Sequence, residues 1–540
     1  MRHTDRIKAM KILIAALNSK NIHKSPAPWY LKAYFEKQIP GYTVDVYENS
    51  VNDNINSIIA DIYGYAPDVV GFSCYIWNIE YFVKIGAVIK KLLPSVVIVL
   101  GGPEVSFCDI KDYPFADYLI KGAGEKAFYA LLKDLSEGRK TDAENIMPFA
   151  GLPSPFTADY FDSFKKSGMG IANQLVYYES SRGCPFCCSY CLSCALDGVE
   201  YLPLSRVFDE LRLLLKNGAR CIKFVDRTFN SHRERAFEIL NFIYNLETGC
   251  VFHFEVSADL FDERLLQLIE KMPVTRVQFE IGIQTTNKKT LECVSRKTDL
   301  DLAFCNIERL VKMKNCHIHV DLIAGLPFDN FDTFSDSIDR CFSVYPHMLQ
   351  LGFLKMLKGS KIREQAGFFG YEYADFPPYE AVKSNALTFE EIALLKGIEA
   401  VIDKFYNSGL FYNTVRFAME ELFDGGTAFF GALALFCKKN GGIKVTLKNA
   451  YTLIMNFLLQ YAHMEQVCHY IKLDCLSYDT KGLLPDAIAA NRDKAAEAKI
   501  KKEKGYKKVR VEFFEYDSVT RVFVYDIKNP VDMSYLITQI

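Results

Sequence analysis

The sequence predicts an α/β protein in three parts: an N-terminal parallel α/β domain, a partial (β/α)6 barrel, and a mostly helical C-terminal region ending in a β-hairpin. Three observations predict it. Short apolar runs alternate with helical patterns from residue 11 to about 140, alternate again from 174 to about 360, and then give way to long helical periodicities. Strands and helices alternating at this spacing indicate parallel sheets, because a parallel pair needs a crossover that a helix supplies. The expected domains are 10–141, 142–173 (a linker), 174–360 and 361–540.

In the first part, Lys11-Ile-Leu-Ile-Ala-Ala16 reads as a buried strand, and further runs lie at 43–48, 68–73, 96–100 and 117–121. Helical patterns lie near 27–37, 53–63, 78–92 and 124–136. Several strands end in small residues: Ser73, Gly101-Gly102-Pro103-Glu104 and Gly122-Ala123-Gly124-Glu125. Small residues there let a ligand approach the backbone, and helix N-termini supply donors for anions. One such glycine is ordinary turn chemistry; three loops on one sheet edge predict a ligand site. Pro148, Pro153 and Pro155 mark 142–173 as a linker. The second series has runs at 174–180, 221–226, 251–257, 277–283, 317–323 and 348–354, with helices such as 204–216 and 300–314 between them. Beyond it, 388–405, 415–438 and 446–471 read as helices. The lysine-rich stretch 492–508 reads as a solvated helix, and Val509–Tyr516 with Val522–Tyr525 as a hairpin.

Five cysteines fall within eleven residues, Cys184-Pro-Phe-Cys-Cys-Ser-Tyr-Cys-Leu-Ser-Cys194. Cys184, Cys188 and Cys191 give C-x3-C-x2-C, one thiolate short of the four that a [4Fe–4S] cluster normally takes. An iron left open is the mark of a catalytic metal. A zinc site would pair Cys184/Cys187 with Cys191/Cys194, but only three residues separate those pairs, against the roughly 12–20 of common zinc modules. A ferredoxin run fails because position 190 is Tyr and 198 is Gly. Cys187 and Cys194 therefore read as bystanders. The loop follows the apolar run Leu175–Glu179, so it leaves the C-terminal end of a strand, where parallel α/β folds place their chemistry.

Polar residues inside apolar strands are the next signal. Asp226, Glu255, Glu280 and Gln284 lie within or just after strands, and Asp321 within one. Burying carboxylates costs several kcal/mol unless they are paired or bound, so several in one barrel predict a binding cavity. His253, His317 and His319 read as structural.

With Tyr190 before its last cysteine, the motif resembles the signature of the radical S-adenosylmethionine (SAM) superfamily. The resemblance implies that SAM chelates the open iron of a [4Fe–4S] cluster. By the same resemblance Tyr190, Asp226, Glu255, Glu280 and Gln284 are SAM contacts, with Asp226 and Glu255 for its amine or ribose. Arg296, in Ser295-Arg-Lys-Thr298, would pair with the SAM carboxylate, and Gly325-Leu-Pro327 resembles the adenine-side loop. One departure stands out: Val225-Asp226-Arg227-Thr228 replaces the family's commoner Gly-Gly-Glu run. The N-terminal part is similar to Rossmann-like cobalamin-binding domains. That similarity implies cobalamin contacts at Asn18, Ser73, Gly101, Gly102, Glu104, Gly122, Gly124 and Glu125. The Asp-x-His-x-x-Gly motif of many such domains is lacking; the first loop reads Leu17-Asn-Ser-Lys-Asn-Ile-His23, so no histidine from this motif would ligate cobalt from below. Leu17-Asn-Ser-Lys20, Gly71-Phe-Ser-Cys-Tyr-Ile-Trp-Asn78, Tyr178-Glu-Ser-Ser-Arg-Gly-Cys184 and Lys223-Phe-Val-Asp-Arg-Thr-Phe-Asn230 extend the resemblance over both parts.

The implied activity is reductive cleavage of SAM to a 5′-deoxyadenosyl radical, followed by methylation of an unactivated carbon through methylcobalamin. An external electron donor such as ferredoxin or flavodoxin is implied. A cobalamin-assisted rearrangement is the alternative within the family. A tRNA methylthiotransferase would carry three cysteines in the first part, where only Cys74 and Cys108 occur. An iron–sulfur or zinc sensor or scaffold without turnover sits poorly with a polar barrel interior. Net charge is −2, with 24% charged residues, which gives no global pull toward nucleic acid or membrane. No apolar run approaches the roughly 20 residues of a membrane span, and the first residues carry no apolar signal core. Sixteen cysteines then imply a reducing, cytoplasmic compartment, and an exposed cluster implies low oxygen.

Overall fold

A computed structural model describes residues 10–137, 139, 149–166, 168–195, 198–478, 484–529, 531 and 534–539. The chain forms two compact units. The first holds Met1–Val256, Val294–Arg296 and Lys355–Ala381; the second holds Ser257–Cys293, Lys297–Leu354 and Val382–Ile540.

The first unit begins with a parallel sheet of β1 (Ile12–Asn18), β2 (Asp45–Ser50), β3 (Val69–Ser73), β4 (Val97–Gly101) and β5 (Tyr118–Ile120), in the order β2-β1-β3-β4-β5. Every residue of β1 and β3 is buried, because helices cover both faces. On one face Leu13, Val70 and Ile98 pack with Ile58, Phe82 and Ile85. On the other, Ile12, Ile14 and Val99 pack with Phe35, Phe128 and Leu131. With both faces occupied, the open place for a ligand is the C-terminal edge, and the strand order reverses between β1 and β3.

Residues 142–148 of the expected linker lie outside the described residues. Residues 149–173 are not an open tether: a helix at Ala158–Lys166 lies between two short turns, and Phe149, Leu152, Phe156, Tyr160 and Phe164 are buried. Trp29 meets the Tyr160 ring edge-on at 5.4 Å.

The next strands are β6 (Val176–Tyr178), β7 (Ser181–Gly183), β8 (Val199–Tyr201), β9 (Cys221–Phe224) and β10 (Val251–Val256). β6, β9 and β10 form a parallel ladder. The expected single strand 174–180 stops at Tyr178. The chain then enters an antiparallel ribbon, β7 against β8, that closes the cysteine loop at its neck. Gly183, at φ +97°, faces the Gly198 carbonyl so closely that a Cβ would overlap it.

The second unit contributes β11 (Val277–Gln284), β12 (His317–Ala324) and β13 (Met348–Phe353), also parallel. The two sets together supply the six parallel strands the sequence predicts. Their burial differs from that of β1 and β3. β10 and β11 alternate strictly, one face buried and the other half-buried. The half-buried face carries Lys223, His253 and Glu255 in the first unit, and Glu280, Gln284, His319 and Asp321 in the second. The strand carboxylates therefore line an open polar face rather than an apolar interior; of the predicted acids in this region only Asp226 is fully buried.

A short ribbon, β14 (Glu372–Tyr373) with β15 (Ala381–Lys383), precedes the C-terminal helices. The helix expected at 446–471 is two, Leu447–Leu458 and Met464–Tyr478. The lysine-rich helix is Lys494–Lys504. The expected hairpin is present as β16 (Val509–Phe514) against β17 (Val519–Lys528), and β18 (Tyr535–Gln539) adds a third antiparallel strand on the free edge of β17. Among the described residues no helix is long and apolar enough to cross a membrane.

Candidate functional site

The cysteine loop is pinned at several points. The Cys191 N–H donates to the Cys188 carbonyl at 3.0 Å, a turn that brings these two residues together. Between them, the Ser189 N–H donates to the Val294 carbonyl at 2.9 Å and the Ser189 carbonyl accepts from the Ile362 N–H at 3.0 Å. Cys188 is buried, Cys184 and Cys191 are half-buried, and Cys187 is exposed. The Cys194 side chain lies outside the description. Burial pushes the Cys184 thiol up, and the nearby Cys191 and Cys188 add to that shift. Among the described residues no three His, Cys, Asp or Glu side chains stand close enough to hold a single metal ion. A cubane binds its thiolates on different irons, so its sulfurs need not meet at one point. Three thiols on one anchored loop fit that group.

Tyr190 and Arg296 come together beside Cys188. Arg296 Nη1 lies 3.3 Å from the Tyr190 hydroxyl and 4.0 Å from Cys188 Sγ. Burial raises the Tyr190 phenol. Burial alone would lower Arg296, but Tyr190 and Cys188 beside it raise it. Ser295, just before Arg296, sits at φ +57°. Glu255 sits on the half-buried face of β10, 3.8 Å from Lys223 Nζ.

Asp226 is engaged within the protein. One carboxylate oxygen accepts from the Ser180 and Ser181 N–H groups at 2.7 and 3.1 Å, and the other from the Ser180 hydroxyl at 2.5 Å. The residue is 2% exposed. Both oxygens are taken up by the entry to the cysteine loop, so Asp226 positions that loop. Burial moves its carboxyl up to about 6, against the pull of the bonds from Ser180 and Ser181. Arg235 Nη2 donates to the Ser180 carbonyl at 3.1 Å, and Thr228 Oγ1 lies 3.7 Å from Cys184 Sγ. The Val-Asp-Arg-Thr run thus serves the cysteine loop.

In the second unit, Glu280 and Gln284 share the half-buried face of β11. The register of β11 slips between Gly282 and Gln284, and Gln284 sits at φ +71°. Gly325, at φ +92°, follows β12. Thr290 Oγ1 donates to the Pro327 carbonyl at 2.8 Å and Asn287 Nδ2 to that of Phe328 at 3.0 Å, which joins the two strand-end loops. Left-handed non-glycine residues held by such bonds concentrate at functional sites.

At the edge of the five-stranded sheet, Asn18, Ser73 and Gly101 end β1, β3 and β4, and Gly122 and Gly124 follow β5. Gly102, at φ +115°, would place a Cβ 2.5 Å from the Cys74 carbonyl. A Cβ at Gly122 would meet nothing within 4 Å, whereas one at Gly124 would touch Leu31. Glu104 and Glu125 have partners within the protein. Glu104 is buried and bonded by the Tyr379 hydroxyl and by Lys358 Nζ at 3.3 Å. Glu125 pairs with Arg182 Nη2 at 3.0 Å. Both acids hold other parts of the first unit. His23 is likewise engaged, its Nδ1 2.8 Å from the Tyr177 hydroxyl.

The sequence reading missed Asn78 and the pair Tyr75/Trp77. Asn78 Nδ2 donates to the Leu17 and Ser73 carbonyls, each at 3.0 Å, and so ties the ends of β1 and β3 together. Trp77 Nε1 also reaches the Leu17 carbonyl at 3.0 Å. The Tyr75 and Trp77 rings stack at 4.4 Å and 9°, and Trp77 is 42% exposed. The exposed Trp77 ring just beyond the C-terminal end of β3 was the available signal.

Residues 12–132 match the family model of the B12 binding domain, 178–341 that of the radical SAM superfamily, and 367–528 a family described as a protein of unknown function (DUF4080). The chain is 25% identical over 330 residues to the "Cobalamin-dependent radical SAM methyltransferase TokK" of Streptomyces tokunonensis, covering 52% of this chain and 46% of that one. It is 22% identical over 354 residues to the "Anaerobic magnesium-protoporphyrin IX monomethyl ester cyclase" of Rubrivivax gelatinosus, covering 60% and 63%. It thus spans about half the length of the first of these relatives. Among solved structures it is similar to the cobalamin-dependent SAM radical enzyme OxsB with aqua-cobalamin and SAM bound, with a TM-score of 0.61 and 15% identity over 89% of this chain and 82% of that one. A second is the radical SAM methyltransferase TsrM from Kitasatospora setae with cobalamin and a [4Fe–4S] cluster bound, with a TM-score of 0.52 and 18% identity over 68% and 78%. These structural likenesses concern the fold.

Proposed function

We propose that this chain, in which a B12-binding domain precedes a radical SAM domain, is a cobalamin-dependent radical SAM enzyme that methylates an unactivated carbon of a small-molecule substrate. One observation carries the reading. The anchored C-x3-C-x2-C loop and the small-residue edge of the five-stranded sheet belong to one compact unit. When bound, the [4Fe–4S] cluster with SAM supplies a 5′-deoxyadenosyl radical, and cobalamin supplies a methyl group.

Cys184, Cys188 and Cys191 would hold the cluster, and Asp226 with Arg235 fixes the entry to their loop. Arg296 and Tyr190, with Glu255, are candidates for SAM in the first unit; Glu280, Gln284 and Gly325 are candidates in the second. Asn18, Ser73, Gly101, Gly102, Gly122 and Gly124 would line the cobalamin edge, and the Tyr75/Trp77 pair would support the corrin. The domain divisions at 141, 173 and 360, the cytoplasmic location and an electron donor such as ferredoxin or flavodoxin belong to this proposal. The methylthiotransferase reading loses support from the two N-terminal cysteines: Cys74 and Cys108 are buried, and their thiols donate to the Phe72 and Glu104 carbonyls. Anaerobic incubation of the purified chain with SAM and a strong reductant should release 5′-deoxyadenosine and methionine. Absence of 5′-deoxyadenosine under those conditions would remove the enzyme reading.

A further inference from the structure

Residues 355–381 leave the barrel series and return to the first unit. They form a strap with contacts on two sides. On one side, Lys358 Nζ lies 3.3 Å from Glu104, and the Tyr379 hydroxyl donates to the same carboxylate. Glu104 is 6% exposed and sits two residues beyond Gly102, in the loop that follows β4. Gly359, at φ +84°, lies so close under the Phe107 ring that a Cβ would overlap it. Three residues after Gly359, on the other side, the Ile362 N–H donates to the Ser189 carbonyl at 3.0 Å, between Cys188 and Tyr190.

The strap is braced internally. The Met356 N–H donates to the Tyr379 carbonyl at 2.8 Å, Arg363 Nη1 donates to the Met356 carbonyl at 2.7 Å, and the Arg363 guanidinium lies 5.1 Å from the Tyr379 ring centre. Its anchors are therefore rigidly related. Five consecutive residues, Lys358 to Ile362, reach from the cobalamin edge to the cluster loop. A buried carboxylate left without its cation is strongly destabilising, so Glu104 and Lys358 fix this end of the strap more firmly than a surface pair would.

We propose that the strap 355–381 is a positioning element that sets the cysteine loop relative to the cobalamin edge, with Glu104, Lys358 and Ile362 as its anchors. The proposal rests on the two-cofactor function above. Three variants of the full-length chain test it: Glu104→Gln, Lys358→Met and the charge swap Glu104→Lys/Lys358→Glu. In cofactor-free protein, amide hydrogen exchange should rise about tenfold or more at Ile362 and Ser189 in the single variants, while β1 and β10 stay protected; the swap should recover part of that protection. In protein loaded with cluster and cobalamin, pulsed EPR between cob(II)alamin and the reduced cluster should give one narrow distance in the wild type. The single variants should broaden it while iron and cobalamin content stay unchanged.

Faster exchange confined to the loop after β4 would overturn the proposal, as would an unchanged narrow distance in the variants. Joint loss of both cofactors with global exchange would reduce the strap to fold support and overturn it as well. A wild-type chain that takes up no cobalamin would defeat the function proposed above, and the exchange experiment would still decide the strap.

Discussion

The five-stranded sheet and the barrel strands use the same element in opposite ways. β1 and β3 are buried on both faces, so that sheet can meet a ligand only at its edge, and the residues proposed for that ligand are small ones. β10 and β11 are buried on one face only, so they can present polar side chains along their length. A wide planar cofactor suits an edge of glycines, and a small polar one suits a face of acids and amides. The two cofactor sites should therefore respond differently to substitution: the edge to added bulk, the face to lost charge.

The largest expected effect concerns neither surface but the cysteine loop. Cys188→Ala should lower SAM cleavage by about a thousandfold or more by removing a cluster ligand, whereas Cys187→Ala should leave it within about twofold. Equal losses in both, read by 5′-deoxyadenosine release, would break the ligand assignment. Next, Gly102→Val should destabilise the first unit by about 2–4 kcal/mol, because its Cβ has only the Cys74 backbone to displace. Denaturant unfolding checks this, and a change under about 0.5 kcal/mol would mean the edge tolerates bulk.

Asp226→Asn sharpens the comparison through pH. The folded Asp226 carboxyl titrates at about 6, against roughly 3.9 when unfolded. Between those values the folded state holds the proton more tightly, so the contribution of Asp226 to stability falls as pH rises from about 4 to 6 and is level above. The difference between wild type and variant should change by up to about 3 kcal/mol over that window. Asp474, also raised to about 6 by burial, cancels in that difference. A flat difference would show that Asp226 is not buried as described. The smallest effect on stability should come from Glu280→Gln, within about 0.5 kcal/mol because the residue lies on the half-buried face. The same change should weaken SAM binding measurably by calorimetry, and a large loss of stability would mean that the face is closed.

The contrast between the sheets was only partly legible in the sequence. The continuous run Ile12–Leu17 and the alternation Val277-Gln-Phe-Glu-Ile-Gly-Ile283 are local patterns, and both strands fell where those patterns lie. The cluster cysteines were readable for the same reason: their spacing lies within eight residues. The partners of Glu104, Glu125 and Asp226 were not legible because they are remote. Tyr379 lies 275 residues from Glu104, Arg182 lies 57 from Glu125, and Ser180 lies 46 from Asp226. A carboxylate in an apolar context signals a partner but does not say which one. The ribbon β7/β8 and strand β18 were missed because three to five residues carry too little periodicity to register.

Iron and cobalamin per chain, measured together in protein purified anaerobically from cobalamin-fed cells, test the central claim most directly. The account predicts about four irons and one cobalamin in the wild type. It further predicts loss of iron alone in Cys188→Ala. A wild type without corrinoid, or a variant that loses both cofactors together, would contradict it.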